Sequence, residues 1–367
     1  LTACSSNDEL SSLVNGGGTS NSGVPISIGT STTSAKLTRG AGTVGGIADS
    51  VNVWNGQQVH IYMVNKGTAA VTVDAASNTP LYANDSLTTP SKVATGEAQR
   101  SDHKICYYPA KGFFDFWGYY IDNSATGSPV TDKNNDSIYV PFKIDGSQDL
   151  MTAKAILPDS DLTKAISDSC YSAHAARHNI QPNLTFKHQL TRLTFSISAN
   201  SKKEADSIMG VNVDSIKVFT KTSGKLVIIP TNKKMTEGYI VYDDNQKLDS
   251  VSLKDRKPGT NIDIPLTSEK PNETGYKALG EALLVAPADS MTFKIYCSEK
   301  VQISTEDPQK TTIQSFPYTE TVKPEKGFEK GKSYNVKIEV YALEPVKIST
   351  TLEAWKDGGS ISIDEDN

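Results

Sequence analysis

The chain has 367 residues, with 37 basic and 42 acidic side chains and a formal net charge of -5. That balance lacks the clustered Lys and Arg that displace counterions from phosphates, so no nucleic-acid partner is expected. Hydrophobic residues make up 37% and charged residues 22%, which excludes wholesale disorder; the length suits about two domains, and the longest apolar run, Ala282–Ala286, falls far short of the ~20 residues of a membrane-spanning helix.

The first four residues, Leu1-Thr2-Ala3-Cys4, resemble a bacterial lipobox, in which small residues precede a Cys that becomes diacylated. Cys4 is therefore the expected lipidation site, with the chain starting inside a signal peptide. Ser5 replaces the Asp that would retain such a protein in the inner membrane, so the outer membrane is the expected destination. Residues 1–23 form a lipobox remnant and a Ser/Gly/Asn-rich tether with Gly16-Gly17-Gly18. Val24-Pro25-Ile26-Ser27-Ile28 is a short apolar alternation directly after it. Arg39 is the first arginine, and the string that follows, Gly40-Ala41-Gly42-Thr43-Val44-Gly45, matches GxGxxG letter for letter. Dinucleotide binding needs a strand before that string and a helix after it. Here a Ser/Thr-rich stretch precedes and strand-like sequence follows, so the string reads as a flexible loop open to proteases.

Period-two alternation dominates the remainder. Strands are expected at Val51–Trp54, Gln58–Val64, Ile105–Tyr108, Phe113–Tyr120 and Ser137–Phe142. Pro109-Ala110-Lys111-Gly112 should join the third and fourth as a hairpin turn, and Pro141 should mark an edge or strand end. A helical interval is expected within Ser160–Asn179. Phe186, His188 and Leu190 alternate inward, and Leu193, Phe195 and Ile197 do so on the other parity. A β-bulge at Thr191-Arg192 would keep both sets on one face. Thr222-Ser223-Gly224 reads as a hairpin between Ile216–Phe219 and Lys225–Ile229. Val336, Ile338 and Val340 alternate with Lys337 and Glu339, and Val346, Ile348, Thr350 and Leu352 continue that pattern. The expected architecture is all-β, two sandwiches in tandem with a boundary between residues 157 and 183, taken as an N-terminal domain of 24–170 and a C-terminal domain of 171–367.

Candidate chemistry is sparse. The cysteines, Cys4, Cys106, Cys170 and Cys297, contain no CxxC pair, and lipidation of Cys4 would leave at least one of the rest unpaired, with Cys170 the first candidate. Cys170, His174 and His178 share a helical spacing, but ligands on three successive turns lie ~6 Å apart each and the outer two cannot reach one ion. No metal, cofactor or catalytic residue is assigned, and no enzyme activity is expected. His188 reads as a packed, hydrogen-bonded core histidine. In Phe113–Tyr120, alternation makes half of the aromatic run core. Asp-Ser followed by an aliphatic residue recurs at Asp49, Asp85, Asp136, Asp206, Asp214, Asp249 and Asp289. The tripeptide fits turns that launch strands and equally resembles an O-glycosylation signal of exported proteins in some Gram-negative bacteria.

Taken together, several segments resemble the fimbrillin (Mfa-like) family of type V pilins: Tyr107-Tyr108-Pro109 through Tyr120, Asp149-Leu150-Met151-Thr152-Ala153, Phe186 through Phe195, Gly331-Lys332-Ser333-Tyr334, and Trp355-Lys356-Asp357-Gly358-Gly359. The resemblance implies two transthyretin-like β-sandwich domains and a structural subunit of a cell-surface fimbria on a Gram-negative outer membrane. It implies export as a lipoprotein, removal of the N-terminal segment by an Arg-specific protease, and insertion of a neighbouring subunit's C-terminal strand into the vacated groove. Mapped onto this chain, cleavage falls at Arg39–Gly40, and Val24, Ile26 and Ile28 form the removable strand. Val346, Ile348 and Leu352, or Ile361 and Ile363, are the candidate donors, although Val346–Leu352 equally well completes the C-terminal sandwich. The partners implied are other fimbrial subunits, an Arg-specific protease, and the outer membrane through the lipid on Cys4. Rival readings are a tip or anchor subunit, and a surface glycan-binding lipoprotein using Trp54, Trp117 and Tyr119.

Overall fold

A computed structural model describes residues 23–32, 54–74, 78–89, 91–93, 95–122, 127–157, 170–199, 211–243, 248–253, 264–265, 277–303, 305–307, 309–340 and 347–353. The first strand, β1 (Ile28–Thr32), belongs to a closed barrel together with β3 (Gln58–Asn65), β4 (Ala83–Thr88), β6 (Thr95–Arg100), β7 (Phe114–Ile121), β10 (Leu150–Lys154) and β11 (Asn183–His188). Around the barrel the order is β1-β11-β10-β7-β3-β4-β6, and β1 closes it by pairing with β6. Two short strands, β2 (Trp54–Asn55) and β5 (Ser91–Val93), pair with each other.

A second sheet runs β15-β14-β9-β8, formed by β8 (Val130–Asp132), β9 (Ser137–Lys143), β14 (Ser223–Ile229) and β15 (Tyr239–Tyr242). A third is built on β12 (Thr191–Ala199), which pairs in parallel with β22 (Ser333–Val340); β23 (Lys347–Glu353) adds to β22, and β18 (Lys277–Ala278) and β19 (Leu283–Val285) pair with β12. A fourth has β16 (Asp249–Ser252), β13 (Val211–Thr220), β20 (Met291–Gln302) and β21 (Thr311–Val322) in that order, with β17 (Ile264–Pro265) also on β13. The chain is therefore all-β, as its alternation requires. Among the described residues, three ladders cross position 170, since β11 pairs with β1 and β10 in the barrel and β14 pairs with β9.

Three cores follow from these layers. Ile61, Met63, Phe116, Met151 and Phe186 fill the barrel. Phe195, Val218, Phe293 and Val336 pack between the third and fourth sheets. Trp117, Tyr119, Val140, Leu226 and Ile228 fill the space between the barrel's outer face and the second sheet. Strand β7 is thus covered on both faces: Phe114, Phe116 and Tyr120 point inward, Trp117, Tyr119 and Ile121 outward. The expectation that only half of this aromatic run is core needs correction, because a second sheet covers the face that would otherwise meet water. Gly118 is where the barrel wall comes closest to its contents; a Cβ there would stand 3.0 Å from both Leu184 Cδ2 and Phe186 Cζ.

Several local expectations are redirected by tertiary pairing. Residues 105–108 form no hairpin with β7; instead Tyr107 bridges Pro25, while β7 pairs with β3 and β10. The change of parity at Thr191-Arg192 is not a bulge on one face, because the chain leaves the barrel after His188 and enters the third sheet at Thr191. Leu184 and Phe186 therefore serve one core, and Leu193, Phe195 and Ile197 another. Thr222-Ser223-Gly224 likewise passes the chain between sheets, β13 pairing with β16, β17 and β20 and β14 with β9 and β15. Pro141 marks neither an edge nor a strand end: it lies inside β9, opposite Lys225 of β14, and it is accommodated because it falls past the last β8–β9 pair, Val130↔Tyr139.

The expected helical interval contains α1 (Ala173–Arg177), capped by Ser172 Oγ accepting from Ala175 N at 3.1 Å. Ala173, Ala175 and Ala176 face the barrel core. Cys170 precedes this helix rather than sharing its face with His174 and His178, whose rings stand 4.6 Å apart. Cys106, Cys170 and Cys297 are buried and take part in no disulfide among the described residues, and burial raises the Cys297 thiol to about 12. His188 is 3% exposed, its Nδ1 2.8 Å from Asp149 Oδ2.

Candidate assembly site

The segment 24–31 occupies a lane between two parts of the chain remote from it in sequence. On one side β1 runs parallel to β11, from Gly29↔Asn183 to Thr32↔Phe186. On the other it runs antiparallel to β6, from Ile28↔Ala98 to Ser31↔Thr95. Upstream, Ile26 N donates to Cys106 O and Tyr108 N donates to Val24 O, each at 2.9 Å. Gln181 clamps the same stretch from the opposite side: its Oε1 accepts from Ser27 N at 3.3 Å and its Nε2 donates to Pro25 O at 2.9 Å.

Alternation sends Ile26, Ile28 and Thr30 into the barrel, with Ile28 and Thr30 each 1% exposed. Val24 packs against the same core, half-buried. Fully burying one such aliphatic side chain stabilises by about 1.5–3 kcal/mol. Thr30 brings a hydroxyl into this apolar space, and its Oγ1 donates to Gly96 O at 3.0 Å, which removes the cost of burying it. Ser31 Oγ lies 2.9 Å from Thr185 Oγ1. Gly29 leaves little room, since a Cβ there would come within 3.2 Å of Asn183 Oδ1.

Beside the lane, Pro25–Ile28, Tyr82, Leu87, Arg100, His103 and Lys104 border a cavity of about 380 Å³. The turn that overhangs it is tied down by Arg100, which pairs with Asp85 and Asp102. The Arg100 hydrogen bond holds the exposed Asp102 carboxyl at about 2.

Were the segment withdrawn, β6 and β11 would each present an unpaired edge, and an apolar groove would open between them. Those two features together recruit a strand, which gains ladder bonds and burial in one step. Of the residues expected to form a removable strand, Val24, Ile26 and Ile28 all lie in this lane. Cys4, Arg39, Gly40, Val346, Ile361 and Ile363 lie outside the described residues. Ile348 and Leu352 are on β23, the end strand of its sheet, at register positions facing Ile338 and Tyr334 of β22. Sequence reasoning missed the lane's partners, Gly96, Gln181 and Thr185; nothing local marks them.

The aromatics offered for glycan binding are interior. Trp54 packs edge-on against Phe186 at 5.4 Å, Trp117 and Tyr119 are in the core between barrel and second sheet, and none presents a ring to solvent. Among the Asp-Ser-aliphatic tripeptides, those at Asp136, Asp249 and Asp289 do stand where β9, β16 and β20 begin, whereas Asp85 and Asp214 fall inside β4 and β13. Asp49 and Asp206 lie outside the described residues.

A fimbrillin-like family profile matches residues 47–355. Among solved structures, a candidate cell adhesion protein from Bacteroides uniformis aligns with a TM-score of 0.51 at 14% identity, over 92% of this chain and 100% of its own. A fimbrial protein from Bacteroides vulgatus aligns with a TM-score of 0.52 at 11% identity, over 90% of this chain and 99% of its own. At such identities the likeness is one of fold. No curated protein matches the chain significantly.

Proposed function

Because this chain belongs to the fimbrillin-like family, we propose that it is a structural subunit of a cell-surface fimbria, polymerised by strand exchange at the β1 lane. The observation that carries this reading is the lane itself. A short segment closes the barrel from both sides, buries Ile26, Ile28 and Thr30, and meets partners 66 and 154 residues away. A strand held in this way leaves a complete acceptor behind it when it departs.

In this proposal Cys4 carries a lipid that brings the precursor to the outer membrane. An Arg-specific protease then cuts at Arg39–Gly40, and the strand containing Val24, Ile26 and Ile28 is released. The division into residues 24–170 and 171–367, as two transthyretin-like halves, belongs to the same reading, with β11 of the second half completing the barrel that receives the strand. Partners are further copies of the subunit or companion tip and anchor proteins.

The test treats purified precursor with an Arg-specific protease and runs it unboiled. A denaturant-resistant ladder is expected, and Arg39→Ala should abolish it. A monomer under all conditions, despite complete cutting, refutes the shaft-subunit reading. It would favour a tip or anchor subunit, for which one observation speaks: β23 is docked on its own sheet rather than held free. The glycan-binding reading loses its residues, since Trp54, Trp117 and Tyr119 are buried.

A further inference from the structure

The outer face of the fourth sheet carries a charge pattern that its packing does not require. On β13 and β20, Ile216, Val218, Phe293 and Ile295 point into the core. The residues alternating with them, Lys217, Phe219, Thr292, Lys294 and Tyr296, therefore share the face turned away from it, each half-buried. In the β13–β20 ladder Lys217 stands directly opposite Lys294. Side chains so paired have Cβ atoms about 4.5–5.5 Å apart, and like charges there repel.

Both ammonium groups also converge on one ring. Lys294 Nζ lies 5.0 Å and Lys217 Nζ 5.7 Å from the centre of Tyr296, whose quadrupole attracts cations and so keeps the two charges together. A hydrogen bond from Lys294 lowers the Tyr296 phenol below its ordinary value. Among the described residues no carboxylate pairs with either lysine; the one acid on β13, Asp214, accepts instead from Ser298 Oγ at 2.8 Å. A chain with a net charge of -5 thus presents two adjacent positive charges at the middle of a sheet face.

Hydroxyls flank the pair. Ser252 of β16 is the register partner of Lys217 and Thr319 of β21 that of Lys294, and both are exposed. In the next row Ser250 opposes Phe219 and Thr321 opposes Thr292, the two threonine hydroxyls lying 2.8 Å apart. Four strands at this spacing make a face about 14 Å wide. Positive charge sits at its centre, hydroxyls lie on either side across the strands, and along them an aromatic residue stands before and after the charges.

We propose that this face binds an anionic polysaccharide, a sugar chain bearing carboxylate or sulfate groups. One acidic group bridges Lys217 and Lys294, and sugar hydroxyls bond to Ser252 and Thr319. Tyr296 and Phe219 offer aromatic surface to the C–H faces of the adjoining sugars. An acidic peptide is a poorer occupant, since an extended chain gains ladder bonds at a strand edge and none on a sheet face. A neutral glycan leaves the ammonium groups without counter-charge. The face shares no residue with the β1 lane, so the proposal goes beyond subunit assembly and stands apart from it.

The test uses the uncut full-length chain as a monomer, so failure of strand exchange leaves it untouched. Binding to immobilised polygalacturonate and dextran sulfate is compared with binding to plain dextran and to poly-glutamate. Retention on at least one of the acidic polysaccharides is expected, with none on dextran, weakening between about 0.05 M and 0.5 M salt as screening shortens. The double variant Lys217→Gln/Lys294→Gln should lose at least tenfold in affinity while melting no lower than the parent, because it removes opposed like charges. Lys217→Arg/Lys294→Arg should keep the affinity. So should Lys111→Gln/Lys133→Gln, which makes the same change in net charge at exposed positions elsewhere. No retention on either acidic polysaccharide, equal retention on dextran, or parent-like binding by the Gln pair overturns the proposal. An equal loss in the Lys111/Lys133 variant overturns the site, and tighter binding to poly-glutamate overturns the polysaccharide in favour of an acidic protein partner.

Discussion

Ile28 offers the most direct measure of how firmly the first strand is held. It is 1% exposed in the barrel core, and its backbone pairs with Ala98 of β6. Truncation by Ile28→Ala removes buried methyl and methylene groups from a close-packed interior, leaving a cavity. Such changes cost about 2–5 kcal/mol. A cost near 3 kcal/mol raises the population with β1 released by roughly a hundredfold, since each 1.4 kcal/mol is tenfold. Urea denaturation of the uncut chain reads the first quantity. Hydrogen exchange at the amides of Ile26 and Gly29, which donate to Cys106 O and Pro182 O, reads the second. The same substitution should be silent in the polymer, because Ile28 leaves with the cut segment. A loss below about 0.5 kcal/mol in the uncut chain, or a deficit that persists in the polymer, would refute the reasoning.

Asp149→Ala removes the carboxylate that meets His188 Nδ1 and accepts from Leu150 N; with both groups buried, a loss of about 1–3 kcal/mol is expected in thermal or chemical melts. His60 stacks on Tyr119 at 4.8 Å, and burial lowers its pKa below the ordinary 6.5, against a smaller opposing hydrogen bond from Asn84. The unfolded chain therefore binds a proton before the folded one as pH falls, so stability should decline on acidification below ~6.5 and recover as pH rises. Melts across pH 5–8 should show that slope partly flattened in His60→Gln, and an undiminished slope would assign it to other groups.

Alternation was sufficient to place β3, β7, β11 and β22, because each puts aliphatic or aromatic residues at every second position against a core. It could not show that β7 is covered on both sides, since Trp117 and Tyr119 have the same period whether the outer face meets water or a sheet. Pro109–Gly112 and Thr222–Gly224 carry genuine turn chemistry, yet a turn fixes only where the chain bends, and the strands on either side chose partners elsewhere. The parity change at Thr191 is equally ambiguous locally: a bulge and a move to another sheet leave the same trace. For the candidate site, the apolar character of Val24, Ile26 and Ile28 was legible. Their partners were not, because Gly96 and Thr185 are ordinary residues that matter only once 66 and 154 residues of intervening chain have folded back.

That separation bears on the order in which the barrel is built. Contacts so distant in sequence form late, and β11 is synthesised 154 residues after Ser31, a delay of about 8–30 s at translation rates of about 5–20 residues per second. Until Asn183–His188 has joined β10, one wall of the lane does not exist, and β1 has only a single neighbour on which to rest. Once both walls stand, any strand of suitable pattern could enter. The resident one has the advantage of being tethered, since covalent attachment makes its docking an intramolecular step. Attachment, more than affinity, makes β1 the first occupant, and cutting the chain removes that advantage without altering a single contact in the barrel.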